Sequence, residues 1–193
     1  MITSNRQSQT FFESRYRTST DPWRFASSTY ELNRYHTTLD ALSRPSYRRG
    51  FEPGCSIGVL TAALAARVEH LIACDISETA VARARERCRD LSHVEIFRCD
   101  AADVLLENSF DLIVFSELGY YFCVNRLAAM VRQMARRLEP GGEFVAVHWL
   151  GTSSDHLLHG DVVHEVLADN LPCEWTGGSR HTGFRLDSWR RVP

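Results

Sequence analysis

The sequence contains no lysine: all 22 basic side chains among its 193 residues are arginine. That absence removes whole classes of chemistry. No amine is available to form a Schiff base with pyridoxal phosphate or a carbonyl substrate. A phosphate-binding loop ending in Gly-Lys-Ser/Thr is impossible, and so is the strand lysine of a protein kinase. A strong excess of charge of either sign is also missing. The net charge of −2 supplies no overall field toward nucleic acid or an acidic membrane. No arginine cluster interleaved with aromatics marks a nucleic-acid face. No apolar run approaches the ~18 residues needed to span a bilayer. The N-terminal stretch MITSNRQSQTFFESRYR lacks the apolar centre of a signal peptide. A cytoplasmic protein acting on a small molecule, with no nucleic-acid or membrane partner, is expected. None of the six cysteines forms a C-x-x-C pair, which argues against a zinc ribbon or a thioredoxin-type site. Several lie in apolar runs such as LIACD and EIFRCD, where a free cysteine packs as a small hydrophobe. All six are expected to be reduced.

At 44% hydrophobic and 24% charged, the chain reads as one ordinary globular domain with a full core. Residues 1–47 are polar and rich in aromatics, with helical signals over 7–17 and 28–43. In the second, Tyr30, Leu32, Tyr35, Leu39 and Leu42 recur along one helical face. Asp21-Pro22 marks a turn between them. From Arg48 onward, short apolar runs alternate with helical patterns. Strands are predicted over 48–52, 70–74, 94–98, 110–115 and 143–149. Helices are predicted over 58–68, 78–90 and 126–138, with Ser77 and Asn125 capping the last two. Pro140-Gly141-Gly142 ends the helix that Asn125 opens. This alternation implies a parallel sheet with right-handed crossovers. A final helix over 161–170 precedes two strands, 173–180 and 183–191, with no helix between them. These read as an antiparallel hairpin around Thr182-Gly183.

Four segments carry chemistry. Glu52-Pro53-Gly54-Cys55-Ser56-Ile57-Gly58 closes the first strand and opens a helix. Its small residues let backbone approach a ligand, and the helix start offers free N–H groups, although a tight strand–helix turn uses the same residues. Its spacing, G-x-x-x-G, differs from the G-x-G-x-x-G that a dinucleotide pyrophosphate favours, which argues against a nicotinamide oxidoreductase. Asp75, followed by Ile76, ends the second strand, where a carboxylate can accept from both ribose hydroxyls of a nucleoside or cap the next helix. Asp100 and Ala101 follow the third strand, where a carboxylate can accept from an adenine amine or sit in a solvated turn. Ser116 and Glu117 close the fourth strand, just before Tyr120 and Tyr121. All four lie at the carboxyl edge of the expected sheet, where ligands of open α/β folds bind.

The order and spacing of EPGCSIG, CDIS, RCDAAD, FDLIVFSE and LEPGG resemble the class I S-adenosylmethionine-dependent methyltransferases. The resemblance implies a Rossmann-like, doubly wound α/β fold. Seven strands would end in an antiparallel C-terminal hairpin. Residues 1–47 would form a helical cap, and 48–193 the methyltransferase domain. Asp21-Pro22-Trp23, Tyr30-Glu31, Arg34, GCSIG and SELGYYF are similar to the nodulation protein S group, which N-methylates a deacetylated chitooligosaccharide amine. The sequence departs from the usual pattern at Ser56, where a middle glycine is common, and at Pro53, which removes one N–H.

The resemblance implies a cofactor, S-adenosylmethionine, leaving S-adenosylhomocysteine as product. It would be held by Glu52, Gly54, Cys55, Ser56, Gly58, Asp75, Ile76, Asp100, Ala101 and Ser116, with Trp23 and Arg34 folded over it. Arg34 is expected to pair the methionine carboxylate. Glu117, Tyr120 and Tyr121 are expected beside the sulfonium, and Trp149 as a wall of the acceptor pocket. His148, at the end of the fifth strand, is the expected base by position and by its near-neutral ordinary pKa. His156, His159 and His164 do not follow a zinc spacing, so no metal is expected and they read as polar substrate-loop residues. N-methylation of an amine is the leading reading. O-methylation of a hydroxylated metabolite and non-catalytic nucleoside binding are the alternatives. A monomer or a homodimer is equally compatible with the sequence.

Overall fold

The computed structural model describes residues 5–103 and 109–192, with side chains in the first helix described from Ser8 onward. Residues 1–4 of the expected cap, and 104–108 and Pro193 of the expected main domain, lie outside the described residues. The helices are α1 (Asn5–Thr18), α2 (Thr29–Asp40), α3 (Val59–Leu64), α4 (Glu78–Arg87), α5 (Val124–Arg137) and α6 (Gly160–Asn170). The strands are β1 (Tyr47–Pro53), β2 (Val68–Asp75), β3 (Val94–Arg98), β4 (Phe110–Ser116), β5 (Leu138–Trp149), β6 (Cys173–Arg180) and β7 (Phe184–Arg191). They form one seven-stranded sheet in the order β3-β2-β1-β4-β5-β7-β6. β1 to β5 run parallel, and β7 pairs antiparallel with both β5 and β6. This is the expected doubly wound sheet with its terminal hairpin.

β4 explains why the sheet is covered on both faces. Phe110, Leu112, Ile113, Val114 and Phe115 are all buried, so both of its faces meet helices. On one side Leu127, Met130, Val131 and Met134 form the apolar stripe of α5. On the other, Leu60 and Leu64 of α3 pack over Leu71, Leu112 and Val145. The strand order reverses between β1 and β4. Chains leaving those two strands diverge to opposite faces and open a crevice at their carboxyl ends.

Among the boundaries that differ from expectation, three have a clear physical cause. α3 stops at Leu64 and tightens into a 3-10 turn over Ala65–Arg67, because Val68 already pairs with Tyr47 as the first residue of β2. α5 begins at Val124, with Cys123 rather than Asn125 at its cap, since the Cys123 carbonyl already accepts from Leu127 N–H. Pro140-Gly141-Gly142 lies inside β5 rather than before it. Leu138 pairs with Phe110 and Glu143 with Leu112, and the register shift between these pairs absorbs the extra residues.

The N-terminal helices are tied to the sheet's helices by polar contacts. The Glu13 carboxylate accepts from the hydroxyls of Ser77 (2.7 Å) and Thr79 (2.6 Å) at the start of α4. Ser77 Oγ caps the same helix by accepting from Ala80 N–H. Burial would raise the Glu13 pKa, but hydrogen bonds from Thr79, Ser77 and Arg17 outweigh it and hold the acid at about 2. The turn between β1 and α3 is fixed by backbone conformation. Gly58 has φ +76°, and a Cβ there would lie 2.9 Å from Cα and Cβ of Ala84 in α4. Gly58→Ala therefore meets both a left-handed backbone cost and an overpacked helix contact, together about 2–4 kcal/mol. A matching fall in the denaturant midpoint free energy is expected; unchanged stability would contradict the close approach.

Candidate active site

The crevice deepens into a cavity of about 390 Å³, a volume suited to a small ligand. Its floor comes from the carboxyl ends of the strands: Gly54 and Ser56 after β1, Asp75 and Ile76 around the end of β2, and Cys99–Ala101 after β3. Glu117, Tyr120 and Tyr121 follow β4, and Trp149 ends β5. Its roof is the N-terminal segment, with Phe12, Tyr16, Trp23, Phe25, Tyr30 and Glu31. The roof rings pack edge to face: Tyr16 and Trp23 lie 5.4 Å apart, and Phe12 meets Tyr121 across the cavity at 4.8 Å.

The loop after β1 is held open by three left-handed residues, Gly54 (φ +75°), Ser56 (φ +53°) and Gly58 (φ +76°). A serine in this region is strained, and here its hydroxyl is engaged: Tyr16 Oη donates to Ser56 Oγ at 2.6 Å, joining roof to floor. Asp75 lies beneath that loop. Its Oδ2 accepts from Ser56 N–H and its Oδ1 from Ser77 N–H, both at 2.9 Å. Each carboxylate oxygen retains a second lone pair for a ligand hydroxyl. Burial raises the Asp75 pKa to about 6, against the lowering effect of the backbone N–H groups of Ser77, Ser56 and Ile76. Asp100 receives the N–H of Ala102 and pairs with Arg126 at 3.0 Å, which fixes its orientation at the cavity wall.

Glu117 is the junction of the far end. It adopts φ +56°. Its Oε1 accepts from Trp149 N–H at 2.6 Å, and its Oε2 accepts from Tyr120 Oη at 2.8 Å. Arg34 Nη1 lies 2.8 Å from the same Oε2. Tyr120 stacks on His156 with ring centroids 3.7 Å apart. Burial, reinforced by the neighbouring Glu117, pushes the Tyr120 pKa well up, so the ring keeps its hydroxyl proton.

Of the expected site residues, Trp23, Gly54, Ser56, Asp75, Ile76, Asp100, Ala101, Glu117, Tyr120 and Tyr121 line this cavity, and so does Trp149. Arg34, Glu52, Cys55 and Ser116 instead line a small adjoining cavity of about 30 Å³ that shares Gly54, Ser56 and Glu117 with the large one. Gly58 packs against α4.

Arg34 keeps different company from that expected. It is 1% exposed, and its guanidinium pairs with Glu31 and Glu117 rather than standing free for a ligand carboxylate. Burial works against its charge, but Glu117 and Glu31 outweigh that and keep it protonated.

His148 requires a correction. It is fully buried and does not line the cavity. Its Nε2 accepts from Gly119 N–H at 3.0 Å, and its Nδ1 lies 3.2 Å from His164 Nε2. His164 Nδ1 in turn lies 2.7 Å from Asp187 Oδ2. The chain of contacts fixes the tautomers: Asp187 accepts from His164, His164 accepts from His148, and His148 accepts from the backbone. Burial, then the neighbouring His164, holds the His148 pKa well below 6.5. The ring therefore buttresses the Gly119–Tyr121 turn from behind, and the histidine in the cavity is His156.

The roof residues Phe12, Tyr16, Phe25, Tyr30 and Glu31 were not singled out as ligand-facing by the sequence reading. The aromatic ones are signalled by the density of rings before the first strand, and Tyr30 and Glu31 also by the stretch that resembles the nodulation protein S group. Cys99, within the RCDAAD motif, and Ser153, in no motif, also line the cavity.

Comparison with known proteins agrees with this architecture. A candidate methyltransferase from Pseudomonas syringae of known structure superimposes with TM-score 0.76 at 36% identity, covering 85% of this chain and all of that one. The N-methyltransferase NodS from Bradyrhizobium japonicum, solved with S-adenosyl-L-homocysteine, superimposes with TM-score 0.86 at 23% identity, over 96% of this chain and 99% of that one. The fold is that of the class I methyltransferases.

More narrowly, the chain belongs to the nodulation protein S (NodS) family, whose profile matches residues 7–170. Nodulation protein S from Sinorhizobium fredii is 32% identical over 127 residues, 65% of this chain and 59% of that protein. The homologue from Bradyrhizobium diazoefficiens is 35% identical over 126 residues, 62% of this chain and 58% of that protein. The matched region thus spans under two thirds of the length of these relatives.

His148→Ala leaves Gly119 N–H and a His164 ring nitrogen unpartnered and opens a void, so a loss of about 2–4 kcal/mol is expected in chemical denaturation. The wild-type protein should also lose stability as pH falls below 6.5, because the unfolded histidine takes up a proton that the folded one resists. That slope should be shallower in the variant. A variant as stable as wild type, with the same slope, would contradict the buttressing role.

Proposed function

We propose that this protein transfers a methyl group from S-adenosylmethionine to the amine of a small molecule, such as a deacetylated amino sugar. One juxtaposition carries the reading. Asp75 and the Cys99–Ala101 turn, suited to accept from a nucleoside, line the same cavity as a cluster in which Arg34 joins Glu31 to Glu117 and Glu117 holds Tyr120 and Trp149. Carboxylates and ring faces favour a cation, and both a sulfonium and an ammonium are cations. The names of relatives, nodulation protein S and an N-methyltransferase, support the same reading.

The residues fit the cofactor on the structure's own terms. Gly54 lets backbone form the floor, because a Cβ there would press on Leu118 at 3.0 Å. Asp75 would offer carboxylate lone pairs to ribose hydroxyls. When bound, S-adenosylmethionine supplies a methyl group on a sulfonium, an electrophile strong enough to need no activation by the protein. The chain's task is then alignment and dryness. Tyr120, clamped between Glu117 and His156, gives the acceptor end a fixed wall. Phe12, Tyr16, Trp23 and Phe25 line the roof with aromatic rings. Orientation of this kind supplies roughly 7–11 kcal/mol toward an in-line transfer.

Incubation with S-adenosylmethionine and a deacetylated chitooligosaccharide should add one methyl group at nitrogen, detected by mass spectrometry. Methylation of catechol alone would overturn the amine reading. Asp75→Ala should weaken S-adenosylhomocysteine binding by at least about tenfold in calorimetry, the equivalent of ~1.4 kcal/mol. Wild-type affinity should fall as pH drops through about 6, because a protonated carboxyl accepts less well from ribose hydroxyls. An affinity independent of pH and of Asp75 would refute its ribose role.

A further inference from the structure

We propose that Glu31 is the proton acceptor for the methyl-accepting group, a role that rests on the amine reading for its substrate but not for its test. Glu31 lies in the first turn of α2 and lines the large cavity, yet it is only 8% exposed. It occupies the same end as Glu117, Tyr120, Trp149 and His156. Of these, Glu117, Tyr120 and Trp149 are committed to one another, and His156 is stacked flat on Tyr120. Glu117 takes up Trp149 N–H, Tyr120 Oη and Arg34. Tyr120 spends its proton on Glu117, and His148 stands outside the cavity. Glu31 meets Arg34 through its buried Oε2, and among the described residues no other side chain pairs with it, which leaves Oε1 without a protein partner. It is therefore a cavity carboxylate with acceptor capacity remaining.

Its surroundings suit the exchange of a proton near neutrality. Arg34, on its own helix, stabilises the carboxylate. Glu117, beyond β4, and Asp21, in the turn before α2, oppose its charge. Tyr30, Tyr120, Tyr121 and His156 are the further titratable residues lining that part of the cavity. Burial is the largest influence and raises the acid to about 7, with Arg34 pulling down and Glu117 and Asp21 pushing up. A base with this value is half-ionised where an intracellular reaction runs and takes a proton without holding it too tightly.

The step balances. A substrate ammonium gives one proton to a Glu31 oxygen: its N–H bond breaks, an O–H bond forms, and the lone pair stays on nitrogen. That lone pair forms the N–C bond as the C–S bond breaks, its pair remaining on sulfur. The Glu31 proton leaves to water through the mouth of the cavity.

The test has two readouts. In the first, Glu31→Gln is compared with wild type on a deacetylated chitooligosaccharide and on catechol. Rate is followed against pH for whichever acceptor is turned over, since a phenol must also lose a proton. Wild-type kcat/KM should rise with pH through about 7. The variant should lose about 100-fold or more at neutral pH, the ordinary range for a removed general base. It should also lose that acid limb, while still binding S-adenosylhomocysteine. Turnover of catechol alone sinks the amine reading and leaves Glu31 tested. In the second, carboxyl carbon NMR of the S-adenosylhomocysteine complex assigns the Glu31 resonance by its absence from Glu31→Gln. Titration near neutrality supports the role. A resonance titrating at the ordinary glutamate value, or survival in Glu31→Gln of the acid limb near 7, above the one expected from Asp75 near 6, overturns it.

Discussion

The Glu117 carboxylate is the contact on which the rest of the site depends. It stands at the end of β4 in a left-handed conformation, so its side chain turns back across the crevice instead of following the strand. There it holds the backbone of β5 at Trp149, the Tyr120 hydroxyl and the Arg34 guanidinium of α2. One side chain thereby sets the spacing between two strands, a turn and the N-terminal roof. Three charge-assisted contacts to one partly buried carboxylate form a coupled unit.

That arrangement explains how a chain without lysine organises its charges. Arginine can meet two carboxylates at once through its planar fork, which a lysine ammonium does not reproduce. Arg34 does so between Glu31 and Glu117. The pair leaves a net negative charge beside the cavity. This suits ligands that arrive positively charged and gives Glu31 an acidity tuned by its neighbours. On the opposite side of the Gly119–Tyr121 turn, the His148–His164–Asp187 chain holds the wall from within the core. The cavity wall is therefore fixed from both faces.

Much of this was legible in the residue pattern. β3 runs over Val94–Arg98 as predicted, because turns bound it on both sides. β4 reads as central because both of its faces are apolar. The floor residues Gly54, Ser56, Asp75 and Asp100 follow from their place at strand ends, a local property. What was not legible depends on direction or on distant partners. His148 and Trp149 are adjacent, but successive strand side chains point to opposite faces, so only Trp149 reaches the cavity. The pairing of Arg34 with Glu117 joins segments far apart in sequence, and no local periodicity encodes it. Glu31 was visible only as part of a family-like stretch, and its place in the roof is set by how α2 docks on α3. Pro140-Gly141-Gly142 reads as a break, and only the pairing of Leu138 with Phe110 shows that the strand begins before it.

The central claim is that this cavity holds a nucleoside at its Asp75 end and presents the reacting group at its Glu31–Tyr120 end. A crystal structure of the protein with S-adenosylhomocysteine tests it most directly. Both ribose hydroxyls are expected on the Asp75 carboxylate, the adenine against Cys99–Ala101, and the sulfur facing Glu31 and Tyr120. A ligand whose ribose lies away from Asp75, or whose sulfur points away from Glu31, would contradict it.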